Sequence, residues 1–198
     1  PKYSVGEEFK LKVKKIVENL KKRKADFQFI TASENNAWLL NIRGLDEKYS
    51  PIPHSYILID KNKNVRFYCN LNKVPSALKK NPYKINFFNI ETTHEDLSKI
   101  SKKKILIDKN TCSIYFENII SKKNEILNLN DPIYNLKSIK NKKEIKNIQL
   151  AHIFDGAALT KYLFWLKKNF NKKKISEISA SLKLYKLRKQ SKKFKFLS

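Results

Sequence analysis

Methionine is missing altogether from these 198 residues, glycine and histidine each occur three times, and cysteine twice. Each scarcity closes off a class of chemistry. With only Gly6, Gly44 and Gly156 there is no GxGxxG, Walker or GxSxG turn, so no glycine loop can cradle a phosphate or raise a nucleophilic serine. His54, His94 and His152 stand far apart, HExxH is absent, and the carboxylates are scattered, so no catalytic residue and no metal ligand is assigned within the chain. Cys69 and Cys112 have no metal-ligand spacing and do not make a disulfide framework; they read as reduced, half-buried packing residues, which suits the cytosol. No apolar run reaches the roughly 18 residues of a membrane span. The start, PKYSVGEEFK, lacks the charged and then apolar anatomy of a signal peptide. A chain that opens on Pro1 with no methionine anywhere predicts a piece of a longer reading frame.

Positive charge is what the chain has most of, with 43 basic against 18 acidic residues and a formal net charge of +25. Arginine, whose planar fork reads phosphate and guanine, occurs only at positions 23, 43, 66 and 188. The rest is lysine, in a chain also rich in Asn and Ile, whose codons share lysine's A and T content. A solvated lysine surface therefore explains the charge better than a nucleic-acid partner, and a polyanionic partner stays open as the alternative.

Periodicity divides the chain in two. Val5, Phe9, Val13, Ile16, Val17 and Leu20 recur with helical spacing, and Ser4 with Glu7 has the spacing of a capping box, which predicts a helix over 4–24. DFQFIT alternates as a strand, and SENNAWLLN restarts a short helix with Ser33 as its cap. SYILID, the turn KNKN and VRFYCN make the clearest hairpin. A short helix near 75–80, a strand INFFNI, a helix from Thr93, a strand KILID, a helix around SIYFENII and a strand EILNL follow, ending at Asp131-Pro132. Strands alternating with helices, plus one hairpin, predict a mixed-sheet α/β layer fold closing near residue 139. Beyond it strand patterns vanish. Residues 140–198 hold 17 basic and 3 acidic residues, and two long helices are expected over 141–169 and 176–193. Their apolar stripes, Ile145, Ile148, Ala151, Ile153, Ala158, Leu159, Leu163 and Leu166 in one and Ile178, Leu182, Tyr185 and Leu187 in the other, exceed what two helices can bury on each other. They read as the opening of a second domain.

A few residues invite sharper readings. His152 and Asp155 share a helix face at i and i+3, but two ligands do not make a metal site, and a local contact beside Gly156, Ala157 and Ala158 is the plainer reading. His54, after two prolines, positions a loop, and His94, Glu95 and Asp96 open a helix whose dipole suits the two acids. Phe67, Tyr68, Phe87 and Phe88 alternate in strands as core residues rather than as a base-stacking platform. Arg43, in NIRGLD with Gly44 and Asp46, hints at a bidentate contact, either a loop clamp or a contact to another domain or a substrate.

Several stretches together resemble one family. In ITASENNAWLLNIRGLDEKYSPIPHSYILID, Trp38, Leu39, Asn41, Arg43, Gly44, Asp46, Pro51, Ser55 and Tyr56 match the middle domain of three-domain Xaa-Pro aminopeptidases (aminopeptidase P), with Ser50 in place of the usual asparagine and His54 of the usual aromatic. KNKKEIKNIQLAHIFDGAALTKYLFWLKKN and ISEISASLKLYKLRKQSKKFKFLS resemble the first two helices of that family's catalytic domain. The resemblance implies a creatinase-like α/β domain over 1–139 and, over 140–198, the opening helices of a pita-bread domain. It implies a parent enzyme that removes the N-terminal residue from peptides with proline in second position. Such an enzyme uses two divalent ions, usually manganese, held by two Asp, one His and two Glu downstream of Ser198. It further implies a cytoplasmic homodimer and a non-catalytic role for this piece, with Arg43, Gly44 and Asp46 as structural candidates. A free-standing basic scaffold or polyanion-binding module, or a degenerate homologue kept as a scaffold or inhibitor, are the competing readings.

Overall fold

The computed structural model describes residues 5–79, 85–171 and 174–195, and the chain divides into two compact units at Ile139 and Lys140. The first unit is built on a six-stranded mixed sheet in the order β4-β3-β2-β1-β5-β6. Its strands are β1 (Phe27–Ile30), β2 (Ser55–Asp60), β3 (Val65–Cys69), β4 (Asn86–Asn89), β5 (Lys104–Ile107) and β6 (Glu125–Asn128). The β2–β3 hairpin is antiparallel with Ile57 opposite Phe67, and β1 lies antiparallel to β2 with Phe29 opposite Leu58. The β1–β5, β5–β6 and β3–β4 pairs are parallel. Hairpin and crossover connections thus coexist, which is the mixed α/β arrangement expected.

Side-chain alternation along the strands feeds two cores, one on each face of the sheet. Ile30, Ile57, Ile59, Val65, Phe67, Cys69 and Leu106 face helices α1 (Phe9–Lys22), α2 (Ser33–Leu40) and α6 (Pro132–Ser138), packing with Val13, Ile16, Val17, Leu20, Leu39 and Ile133. The intervening residues Phe29, Leu58, Tyr68, Ile105 and Ile107 face α4 (Thr93–Lys99) and α5 (Ile114–Ser121), packing with Leu97, Phe116 and Ile120. One further short helix, α3 (Ser76–Lys79), lies between β3 and β4. Phe67 meets Phe87 edge-on at 5.7 Å between centroids, and Tyr68 meets Phe88 at 5.5 Å, so Phe67 and Tyr68 are core residues on opposite faces, each with a half-buried Phe packed against it.

Local details depart from the sequence expectations for identifiable reasons. Ser4 lies outside the described residues. Helix α1 begins at Phe9 after Glu8, whose side chain makes no capping bond, while Glu7 takes the Lys15 ammonium at 2.6 Å. Ser33 is the first helical residue rather than the cap. Its hydroxyl accepts from Ser55 N at 3.3 Å and donates to Ser55 O at 3.4 Å, tying α2 to the start of β2. Helix α6 was not expected at all: Pro132 occupies its first turn and the Asp131 carboxylate caps it by accepting from Ile133 N at 3.0 Å.

The second unit contains α7 (Lys142–Asn169) and α8 (Glu177–Lys189). Each opens on a capping box: Asn141 accepts from Lys143 and Glu144 amides while Glu144 reaches back to Asn141 N at 2.9 Å, and Ser176 exchanges hydrogen bonds with Ser179. The Arg188 guanidinium forks onto Asp155 at 2.6 and 3.0 Å, joining the two helices. Of α7 only Ala158 is buried, and α8 buries nothing; Ile153, Leu163, Phe164, Ile178 and Leu182 are all more than half exposed.

Candidate functional site

The segment from Asn41 to Ser55 carries the residues singled out in the sequence, and the structure shows how each is held. Helix α2 ends on Asn41, which takes the left-handed conformation (φ 56°) that asparagine tolerates. Its side chain is used twice: Oδ1 accepts from Lys12 Nζ at 2.8 Å and Nδ2 donates to Glu7 O at 2.9 Å. Arg43 Nη1 donates to the α2 carbonyl of Ala37 at 3.1 Å and to Ile42 O at 2.9 Å, where a cation complements the negative helix end. Gly44 donates to Pro51 O at 3.3 Å and packs so tightly that a Cβ placed on it would lie 2.6 Å from Pro53 N and Cα. Asp46 accepts from Lys73 Nζ at 2.7 Å and from His54 N at 2.9 Å. The Lys73 ammonium, followed by the His54 amide, holds the Asp46 carboxyl below its ordinary range. Arg43, Gly44 and Asp46 are thus brought into one loop, each engaged with main chain or a neighbouring side chain.

Sequence reasoning missed the residue on which this loop rests. Lys12 is only 1% exposed; its ammonium donates to Trp38 O at 2.9 Å and lies 3.8 Å from the Trp38 ring centroid, besides its bond to Asn41. A buried ammonium is tolerable only with such partners. The signal was present, because Phe9, Lys12, Val13 and Ile16 recur at the spacing of one apolar face. A second missed cluster surrounds Asp131. Its carboxylate accepts from Asn35 Nδ2 at 2.7 Å and Gln28 Nε2 at 3.0 Å, and its amide donates to Asp108 Oδ2 at 2.8 Å. Burial dominates and pushes the Asp131 carboxyl above its ordinary range, while the Ile133 amide, Asn35 and Gln28 pull the other way.

The remaining candidates stay apart. His54 Nε2 contacts Glu47 Oε1 at 2.6 Å, His94 Nδ1 lies 2.9 Å from Glu91 O, and His152 is exposed on α7 while its neighbour Asp155 is engaged by Arg188. Gly156 has open space around it, so the small-residue stretch expected to pack is covered only at Ala158. Cys69 and Cys112 are free, buried thiols, more enclosed than the half-buried state expected. Burial pushes both up to about 11, leaving them protonated and unreactive at neutral pH. Among the described residues no three His, Cys, Asp or Glu side chains come together in a set that could hold a metal ion. A di-nuclear centre does not fit them.

The model of the creatinase/prolidase N-terminal domain matches residues 1–144. The chain belongs to this family. Among curated proteins it is 32% identical over 204 residues to Xaa-Pro aminopeptidase 1 of Dictyostelium discoideum, covering 98% of this chain and 31% of that protein. It is 31% identical over 215 residues to a probable Xaa-Pro aminopeptidase P of Pyricularia oryzae, covering 100% of this chain and 35% of that one. The chain therefore spans about a third of the length of these relatives. Among solved structures, the X-prolyl aminopeptidase of Caenorhabditis elegans, described as a cytosolic enzyme with a di-nuclear active site, matches with a TM-score of 0.86 at 22% identity. That match covers 99% of this chain and 33% of the other. An Xaa-Pro dipeptidase from Bacillus anthracis matches with a TM-score of 0.68 at 16% identity, over 92% and 49% of the two chains. These likenesses establish the creatinase/prolidase-type fold. Because the relatives match through α7 and α8 as well as the sheet, the free-standing polyanion-binding reading is not favoured.

Proposed function

We propose that this chain is the non-catalytic creatinase-type domain and the opening helices of the catalytic domain of an Xaa-Pro aminopeptidase, an enzyme that releases the N-terminal residue from peptides with proline in second position. The observation that carries this reading is 32% identity to such an aminopeptidase sustained over 98% of the chain, both units included. In this reading residues 1–139 form a wall and spacer beside the path to the active site, and residues 140–198 begin a pita-bread domain. Arg43, Gly44 and Asp46 serve it structurally, through the Ala37 carbonyl of α2 and that of Ile42, the close approach of Pro53 and the Lys73 ammonium. The C. elegans protein's di-nuclear site supports two divalent ions in the intact enzyme, and we take manganese as the metal, held by residues outside this chain. A cytoplasmic homodimer completes the proposal. No described helix is long and apolar enough to cross a membrane.

The test is to express the full reading frame that contains this chain and assay release of the first residue from an Xaa-Pro peptide, with and without manganese. Metal-dependent cleavage by the long form, with none by residues 1–198, is the expected result. A long form that is inert with every divalent metal supplied would overturn the reading.

A further inference from the structure

Three of the four arginines have engaged side chains: Arg43 on carbonyls, Arg66 within 3.8 Å of Asp96, and Arg188 forked onto Asp155. The fourth, Arg23, just past the end of α1, has a guanidinium with no hydrogen-bond or ion-pair partner among the described residues. It lines a cleft of about 460 Å³ in the first unit, between the end of α1, the ends of β5 and β6, and the start of α6. Five asparagines share the lining, and the amides of Asn19, Asn110, Asn130 and Asn135 have no side-chain partner among the described residues. Asn128 Oδ1 accepts from Lys109 N at 3.2 Å. Leu106, Leu129 and Pro132 supply the apolar part of its lining. Among the described residues no carboxylate lines the cleft. The other cation among its described lining residues, Lys109, is neutralised by Glu117 at 2.6 Å, which leaves the Arg23 fork as the uncompensated charge there.

Polar side chains beside apolar ones, in a volume of this size, are what small-molecule sites contain. A guanidinium left without a carboxylate matches a planar or tetrahedral oxyanion, which it can hold through two parallel hydrogen bonds. Amide side chains offer both donors and acceptors to the polar body attached to that anion. Among the described residues no aromatic ring lines the cleft, which argues against a stacked nucleobase. We propose that this cleft binds a small polar molecule through an oxyanion, a carboxylate or a phosphate, seated on Arg23 and flanked by the asparagine amides. The proposal goes beyond the aminopeptidase reading and stands on the first unit alone.

The test uses the 198-residue chain, with backbone chemical shifts followed during titration by inorganic phosphate, by triglycine and by triglycine amide. At least one anionic probe is expected to saturate with a Kd of about 1 mM or tighter. Its shifts should gather at residues 19–23, 106–110 and 128–135. Binding of phosphate alone assigns a phosphate-bearing ligand, whereas binding of triglycine but not its amide assigns a carboxylate. Arg23→Gln, an exposed change, should weaken binding roughly tenfold. Lys122→Gln removes the same charge from an exposed position outside the cleft and should leave the affinity unchanged. Shifts spread over the lysine surface without saturation, no response to either anion, or equal losses in the two variants would each overturn the site.

Discussion

Gly44 shows how a single atom can decide a residue. Its backbone needs no positive φ, so conformational freedom is not why glycine stands there. The reason is space, since a methyl group would meet Pro53 main-chain atoms at 2.6 Å, and main chain cannot swing aside as a side chain can. Gly44→Ala should therefore lower stability by about 1–3 kcal/mol, the usual cost of overpacking, measured as a shift in the urea midpoint at unchanged slope. A variant as stable as the parent would mean that the loop yields at Pro53. Arg43 teaches a related lesson. Its rarity among the lysines marks it in the sequence, but rarity does not name a partner, and its Nη1 rests on the main-chain carbonyls of Ala37 and Ile42, which carry no sequence signature.

At the scale of elements, legibility followed pattern length. The β2–β3 hairpin could be read directly, because two alternating runs flank a four-residue polar turn and nothing distant competes. Helix α6 could not, because seven residues give barely two turns of periodicity, and Asp131-Pro132 was read as a stop when it is a cap followed by a first-turn proline. Ser33 failed for another reason: a distant strand took the hydroxyl that local rules assign to capping. The α6 cap also carries a pH dependence. A carboxyl whose folded pKa lies above its unfolded value holds its proton more tightly when folded, so stability falls as pH rises through that interval. For Asp131 this window opens upward from about pH 4. Asp26 and Asp46, both lowered by lysine partners, act with the opposite sign below it, losing their contribution as pH falls. Asp131→Asn should therefore flatten the decline of the thermal midpoint as pH rises from about 4. An identical decline in both proteins would assign it to other groups.

Across the whole molecule, the two units differ in how their apolar residues are covered. In the first, alternate strand positions disappear into two cores and leave almost no large aliphatic side chain of the sheet exposed. In the second, 28- and 13-residue helices are well capped at their starts, yet their apolar stripes face outward and only Ala158 is buried. Helix stability in proteins comes mainly from packing of an amphipathic face, not from capping, which contributes about 1 kcal/mol per end. In the proposed reading such faces are surfaces for the rest of a catalytic domain, consistent with the likeness to proteins about three times as long. In the 198-residue chain, amides within 142–169 and 177–189 should therefore exchange with solvent faster than those of β2 and β3. The expected difference is at least roughly tenfold, equivalent to about 1.4 kcal/mol in opening free energy. In the full-length protein the same amides should slow towards the strand rates as the stripe gains its cover. Exchange already as slow in α7 as in the hairpin would mean that the face is covered without the remainder, and the reading of this segment as part of an unfinished domain would fall.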